Sequence, residues 1–137
     1  MTYAHSDYLK YTIPDGWIAE EEDDILTIYS PDGEGAMTLS FYSLVDYSQD
    51  VVNHISTMAS RFVEQNDIVL NGAMRVHVSK ENKAVLHGEG KTSDGWYTKL
   101  WILAQKPKII LATYDVQEKN DEIFICDAII DSMTFDL

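Results

Sequence analysis

Residues 48–66 read SQDVVNHISTMASRFVEQN, and their spacing decides the fold. Val51, Val52, Ile55, Met58, Ala59, Phe62 and Val63 recur at intervals of three and four, which gathers these seven apolar residues on one stripe of a 3.6-residue helix. Ser48 fits the N-cap, Tyr47 before it can staple onto Val52, and Asp50 in the first turn complements the helix dipole. His54 falls off the stripe and is expected at the surface. On either side of this segment the apolar period is two, so an amphipathic helix is set into a β-rich chain.

Before the helix, residues 8–13 alternate, with Tyr8, Tyr11 and Ile13 among polar neighbours, and Pro14-Asp15-Gly16 then turns the chain. Trp17 to Ala19 opens a second strand that Glu20, Glu21, Glu22, Asp23 and Asp24 interrupt. It resumes as ILTIY, with Ile25, Thr27 and Tyr29 on one face and Leu26 and Ile28 on the other. Residues 36–44, AMTLSFYSL, carry apolar groups on both faces, as a central strand would. After the helix, residues 74–79, 83–91, 96–105 and 108–116 read as an antiparallel meander. Its hairpins fall at the polar stretch 79–83, at Asp94-Gly95 and at Lys106-Pro107. The last two of these strands are β-prone and apolar on both sides, which predicts cover from both faces. Residues 119–135, KNDEIFICDAIIDSMTF, return to helical spacing with Ile123, Cys126, Ile130 and Met133 on one stripe, Asn120 as cap, and Asp121 and Glu122 where the dipole favours anions. The order β-β-β-α-β-β-β-β-α predicts an α+β fold: an α-β-α sandwich in one domain, residues 1–137. Its sheet is mainly antiparallel, with an amphipathic helix after the third strand and a C-terminal helix.

That order, with YTIPDGW at 11–17, IYSPDGEGAMTLSFYSL at 28–44 and IIDSMTF at 129–135, resembles the Mog/PsbP-like fold shared by the Ran-binding Mog protein and the PsbP subunit of photosystem II. Within that group the chain looks most like one of the small bacterial families of undetermined function. The resemblance implies a scaffold used mainly to bind other proteins. It brings no catalytic motif to any residue of this chain, because its shared elements are turn and packing signals.

Charge narrows the partners. Ten Lys and Arg stand against 23 Asp and Glu, a net −13, with a pI near 4.4. Such a field repels phosphate backbones and anionic headgroups, which argues against nucleic acid and the membrane surface; it suits a basic protein, or serves solubility alone. The first residues carry neither a basic nor an apolar leader region, no run approaches the ~18 apolar residues that span a bilayer, and the single cysteine allows no intramolecular disulfide. A cytoplasmic location is the expectation. Nucleophile elbows, P-loops, zinc-protease helices and paired Cys-x-x-Cys are all missing, so no enzyme activity and no cofactor are expected.

Five sets of residues remain as candidates. His77, His87 and Glu89 share one sheet face if the 79–83 loop sets an even register, and two His with one carboxylate could hold iron or zinc; the alternative is a solvated polar face. The Gly-Glu-Gly triplets at 33–35 and 88–90 place a carboxylate where phosphate would lie, and serve turns or strand packing better. Cys126 reads as a small core residue, and Glu21 with Asp23, in a run of like charges, favours water over acid-base work. Tyr97 and Trp101, on one strand face with Lys99 and Leu103 and near Trp96 and Tyr114, are either core under a helix or an interface anchor. The leading expectation is a non-enzymatic protein-binding module of immunity or chaperone-like kind. Glu20, Glu21, Glu22, Asp23, Asp24, Tyr97 and Trp101 would face a basic partner; the alternative is a small-ligand or metal-binding protein.

Overall fold

The computed structural model describes residues 2–4, 9–44, 50–79 and 83–135. In chain order the elements are β1 (Thr2–Ala4), β2 (Leu9–Thr12), β3 (Ile18–Glu22), β4 (Ile25–Tyr29), β5 (Ala36–Ser43), α1 (Val51–Gln65), β6 (Val69–Leu70), β7 (Arg75–Val78), β8 (Lys83–Lys91), β9 (Tyr97–Gln105), β10 (Lys108–Val116), α2 (Glu122–Ser132) and β11 (Thr134–Phe135). Among the described residues the main sheet has eight strands in the order β3-β4-β5-β10-β9-β8-β6, with β7 also paired to β8, and every pairing is antiparallel. A three-stranded sheet, β1-β2-β11, brings the two chain ends together.

The alternation of β9 shows why the sheet needs cover on both faces. Tyr97, Trp101 and Leu103 pack into one apolar cluster with Ile123, Cys126, Ile129 and Ile130 of α2; Leu100, Ile102 and Ala104 pack into a second with Ile55 and Ala59 of α1. The first cluster also takes Leu9 and Tyr11 of β2 and Phe135 of β11, so the small sheet flanks α2. Burying a Leu- or Ile-sized side chain stabilises by roughly 1.5–3 kcal/mol. α2 is seated by four buried residues; α1 is seated by two, with Val51, Met58, Phe62 and Val63 packed partly buried beside them.

Local chemistry explains the ends of these elements. Asp50 is itself the N-cap of α1: its Oδ1 accepts from the backbone N–H of Val52 at 3.0 Å and Asn53 at 3.5 Å. That corrects the placing of Asp50 inside the first turn, and the expected roles of Ser48 and Tyr47 lie outside the described residues, as does Tyr8. At α2, Asn120 caps as expected, its Oδ1 accepting from Glu122 N–H at 2.9 Å. The turn after β2 needs Gly16 at φ +87°, where Trp17 N–H reaches Pro14 O at 3.2 Å.

Two expectations about strands change. The carboxylates do not interrupt a strand: Glu20 to Glu22 belong to β3, and the chain reverses at Asp23-Asp24 into β4. Charged residues are tolerated there because β3 is an edge strand with its outer half exposed. Three short strands, β1, β6 and β11, join the predicted set; β1 and the division of the predicted second strand into β3 and β4 put α1 after the fifth strand rather than the third. The triplet 88–90 lies inside β8, and Gly90 is there for close approach, since a Cβ would run into the carbonyl of Val69 on β6. No helix among the described residues is long and apolar enough to cross a membrane.

Candidate functional site

Two features stand out, an acidic hairpin at one edge of the sheet and a polar cleft toward the other. The hairpin is tight. Glu22 pairs with Ile25, leaving Asp23 at φ 50° and Asp24 at φ 66° as a two-residue loop, the geometry of a type I′ turn. Glu20, Glu21, Glu22, Asp23 and Asp24 are all exposed. Tyr29 OH donates to Glu20 Oε1 at 3.0 Å, and that bond to a carboxylate holds the phenol pKa above its ordinary value. Glu21 and Asp23 lie in water, so neither has the desolvated environment that acid-base chemistry needs.

The cleft has a volume of about 330 Å³ and is lined by residues of β7, β8, β9 and the start of α2. Strand register builds it: β7 sets Arg75 opposite His87, and β9 sets Trp101 opposite His87 and Lys99 opposite Glu89. From α2, Asp127 reaches down to the sheet. Lys99 Nζ donates to its Oδ1 at 2.9 Å and its Oδ2 at 3.2 Å, and Trp101 Nε1 donates to Oδ1 at 2.9 Å. The Lys99 ammonium also lies 5.4 Å from the Trp101 ring centroid. Beside this pair, Glu89 Oε2 accepts from Tyr97 OH at 2.5 Å and from Lys119 Nζ at 3.3 Å.

These contacts set the protonation states. The Tyr97 bond, opposed by burial and helped by Lys119, holds the Glu89 carboxyl below its usual range. Burial first, then Glu89, pushes the Tyr97 phenol far up. His87 is held below its ordinary 6.5, first by burial and then by the Lys99 charge, with Arg75 adding to it against Asp127 and Asp131; it is neutral at pH 7. Cys126 lies on the buried face of α2, and burial, with Glu122 and Asp127 nearby, pushes its thiol up to about 12, so it carries no thiolate at neutral pH.

His77 stands opposite Val85, so it does share a sheet face with His87 and Glu89. The three are not gathered into a ligand set: His77 is exposed on β7, His87 lies between Lys99 and Arg75, and Glu89 is engaged by Tyr97 and Lys119. Among the described residues no three His, Cys, Asp or Glu side chains come together to hold a metal ion. Tyr97 is 7% exposed and Trp101 2%, so both lie in the interior under α2 and offer no surface to a partner; Trp96 is the exposed member of the aromatic band. Sequence reasoning passed over Arg75, Lys99, Lys119 and Asp127. Lys99 carried the available signal, a cation in the middle of a strand apolar on both faces, which demands a buried partner.

No family model matches the chain, and no curated protein is similar to it in sequence. Solved structures are similar in shape. The solution structure of cyanobacterial PsbP (CyanoP) from Synechocystis superposes with a TM-score of 0.72 at 12% identity, covering 98% of this chain and 91% of that one. A mutant of protein Mog1 superposes with a TM-score of 0.64 at 8% identity, covering 98% and 94%. With the antiparallel sheet, the mid-chain helix and the C-terminal helix in place, the chain has the Mog/PsbP-like α+β fold.

Proposed function

We propose that this chain is a non-enzymatic protein-binding module, of immunity or chaperone-like kind, that meets a basic partner through the β3–β4 hairpin. The observation that carries the reading is the concentration of five exposed carboxylates on one tight hairpin whose first strand, β3, is an edge of the main sheet among the described residues. Among the described residues Glu20, Glu22, Asp23 and Asp24 form no ion pair, so their field reaches solvent uncompensated. In a chain of net −13 that tip steers cationic surfaces toward itself and speeds encounter more than it deepens affinity.

Exposed charges are screened beyond a Debye length of about 10 Å at 0.1 M salt, so complex formation should weaken steeply as salt rises. The test is capture from source-cell lysate at low and high salt with wild type, with Glu20→Lys/Glu22→Lys, and with Glu64→Lys on α1 as a charge control. The reading expects a salt-sensitive partner lost with the hairpin variant and kept with the control. Capture unchanged by hairpin reversal, or lost equally with the control, would sink it.

A small-ligand reading rests on a separate observation, the polar cleft of about 330 Å³. It combines an apolar wall with convergent polar groups, as ligand sites do.

A further inference from the structure

The cleft departs from the rest of the molecule in charge. Arg75, Lys99 and Lys119 line it against Glu89 and Asp127, three cations to two anions, in a chain with 10 cations and 23 anions. Its carboxylates are already committed. Asp127 accepts from Lys99 and Trp101, and Glu89 accepts from Tyr97 and Lys119. Among the lining residues, pairing Lys99 with Asp127 and Lys119 with Glu89 leaves Arg75 over; Asp131, outside the lining, is the one further carboxylate whose charge reaches His87. Among the described residues the Arg75 guanidinium has neither hydrogen bond nor ion pair. Opposite it stands His87, neutral at pH 7 and able to donate from one ring nitrogen and accept at the other.

The cleft also has an apolar wall. Ile123 and Phe124 line it from the start of α2, and Phe124 is 68% exposed. Gly72 and Ala73, which carry no side chain beyond Cβ, also line it. A guanidinium and an exposed aromatic ring lining one cleft match a molecule with a carboxylate at one end and a flat apolar group at the other. The carboxylate would be held by two parallel N–H donors and the ring against Phe124. One surplus positive charge suits a monoanion; a dianion gains less from it and meets the whole chain's negative field. A metal cation is opposed by the three cations.

We infer that the cleft between β7, β8 and the start of α2 binds a small carboxylate carrying a flat apolar group, with Arg75 as the carboxylate receptor and Phe124 as the apolar wall. This rests on the small-ligand reading and names its chemical class; it is independent of the acidic hairpin.

The experiment titrates nitrogen-15-labelled protein with benzoate, benzamide and benzylamine in parallel, each to about 20 mM, the range that reveals a millimolar Kd. Benzoate should give saturable shifts at the amides of Arg75, His87, Gly88 and Phe124, while benzamide and benzylamine should not. Arg75→Gln, an exposed site without bonds to lose, should keep the free spectrum and weaken benzoate by about tenfold, the loss of one charged bidentate contact. Equal saturation by benzamide or benzylamine at the same amides overturns the carboxylate assignment and leaves the small-ligand reading standing. No saturable shift with any of the three overturns both. Benzoate shifts that survive Arg75→Gln overturn the assignment of the receptor.

Discussion

Replacing Asp127 with alanine takes one acceptor from two buried donors at once. Lys99, 9% exposed, loses the only carboxylate among the described residues within 3.2 Å of its ammonium, and Trp101 Nε1 loses its 2.9 Å bond. Stranding a fully buried charge costs roughly 3–5 kcal/mol. Here the Asp127 side chain is 36% exposed, so water can follow the vacated carboxylate, and screening of that order brings the ionic part to about 1–2 kcal/mol. An indole N–H left without an acceptor adds about 1–2 kcal/mol. Asp127→Ala should therefore lose about 2–4 kcal/mol, or about 6–16 °C in Tm for a domain of this size. Asp127→Asn keeps an acceptor for Trp101 and should lose about half as much. The informative variant is Lys99→Met in the Asp127→Ala background: with the stranded charge gone, about 1–2 kcal/mol should return. Urea unfolding followed by tryptophan fluorescence and far-ultraviolet dichroism gives all five stabilities, Lys99→Met alone included. An Asp127→Ala protein within about 0.5 kcal/mol of wild type, or a double variant as unstable as the sum of the singles, would refute the claim that Lys99 depends on Asp127.

Two further outcomes follow from the same region. His87 has its folded pKa below 6.5, so as pH falls through 6.5 the unfolded chain takes up that proton first and stability drops; His87→Gln should flatten the fall in urea midpoint between pH 7.5 and 5.5, and identical slopes would count against it. Gly90→Ala should cost about 1–3 kcal/mol, because the new Cβ meets the Val69 carbonyl and pushes β6 off β8; amide exchange at Val69 and Leu70 should quicken while α2 is unaffected, and unchanged exchange at β6 would contradict the packing role.

The layer order was legible because each large element declares its period over many residues. The α1 stripe runs across a 15-residue helix, and β9 and β10 are nine-residue strands with apolar groups on both sides. The short strands were not legible: Val69–Leu70 and Thr134–Phe135 hold two residues each, too few for any period. Caps were half legible, since Ser48 and Asp50 are equally good N-caps by residue type and only the backbone path decides between them. The cleft was hidden for another reason. Lys99 and Asp127 lie 28 residues apart on a strand and a helix, and nothing local to either names the other. The face shared by Tyr97, Lys99, Trp101 and Leu103 was read correctly from the alternation, but which side of it faces protein is a property of α2's docking.

Asp23 and Asp24 hold a backbone conformation that two-residue hairpins ordinarily fill with Asn-Gly, because an L side chain in the left-handed region costs about 1 kcal/mol or more. Aspartate tolerates that region better than most residues, yet the turn still carries two carboxylates where glycine would relax it. An Asn-Gly replacement would tighten the hairpin and remove two of its five charges in the same step. At this turn conformational ease and charge pull in opposite directions, and the chain has settled on charge.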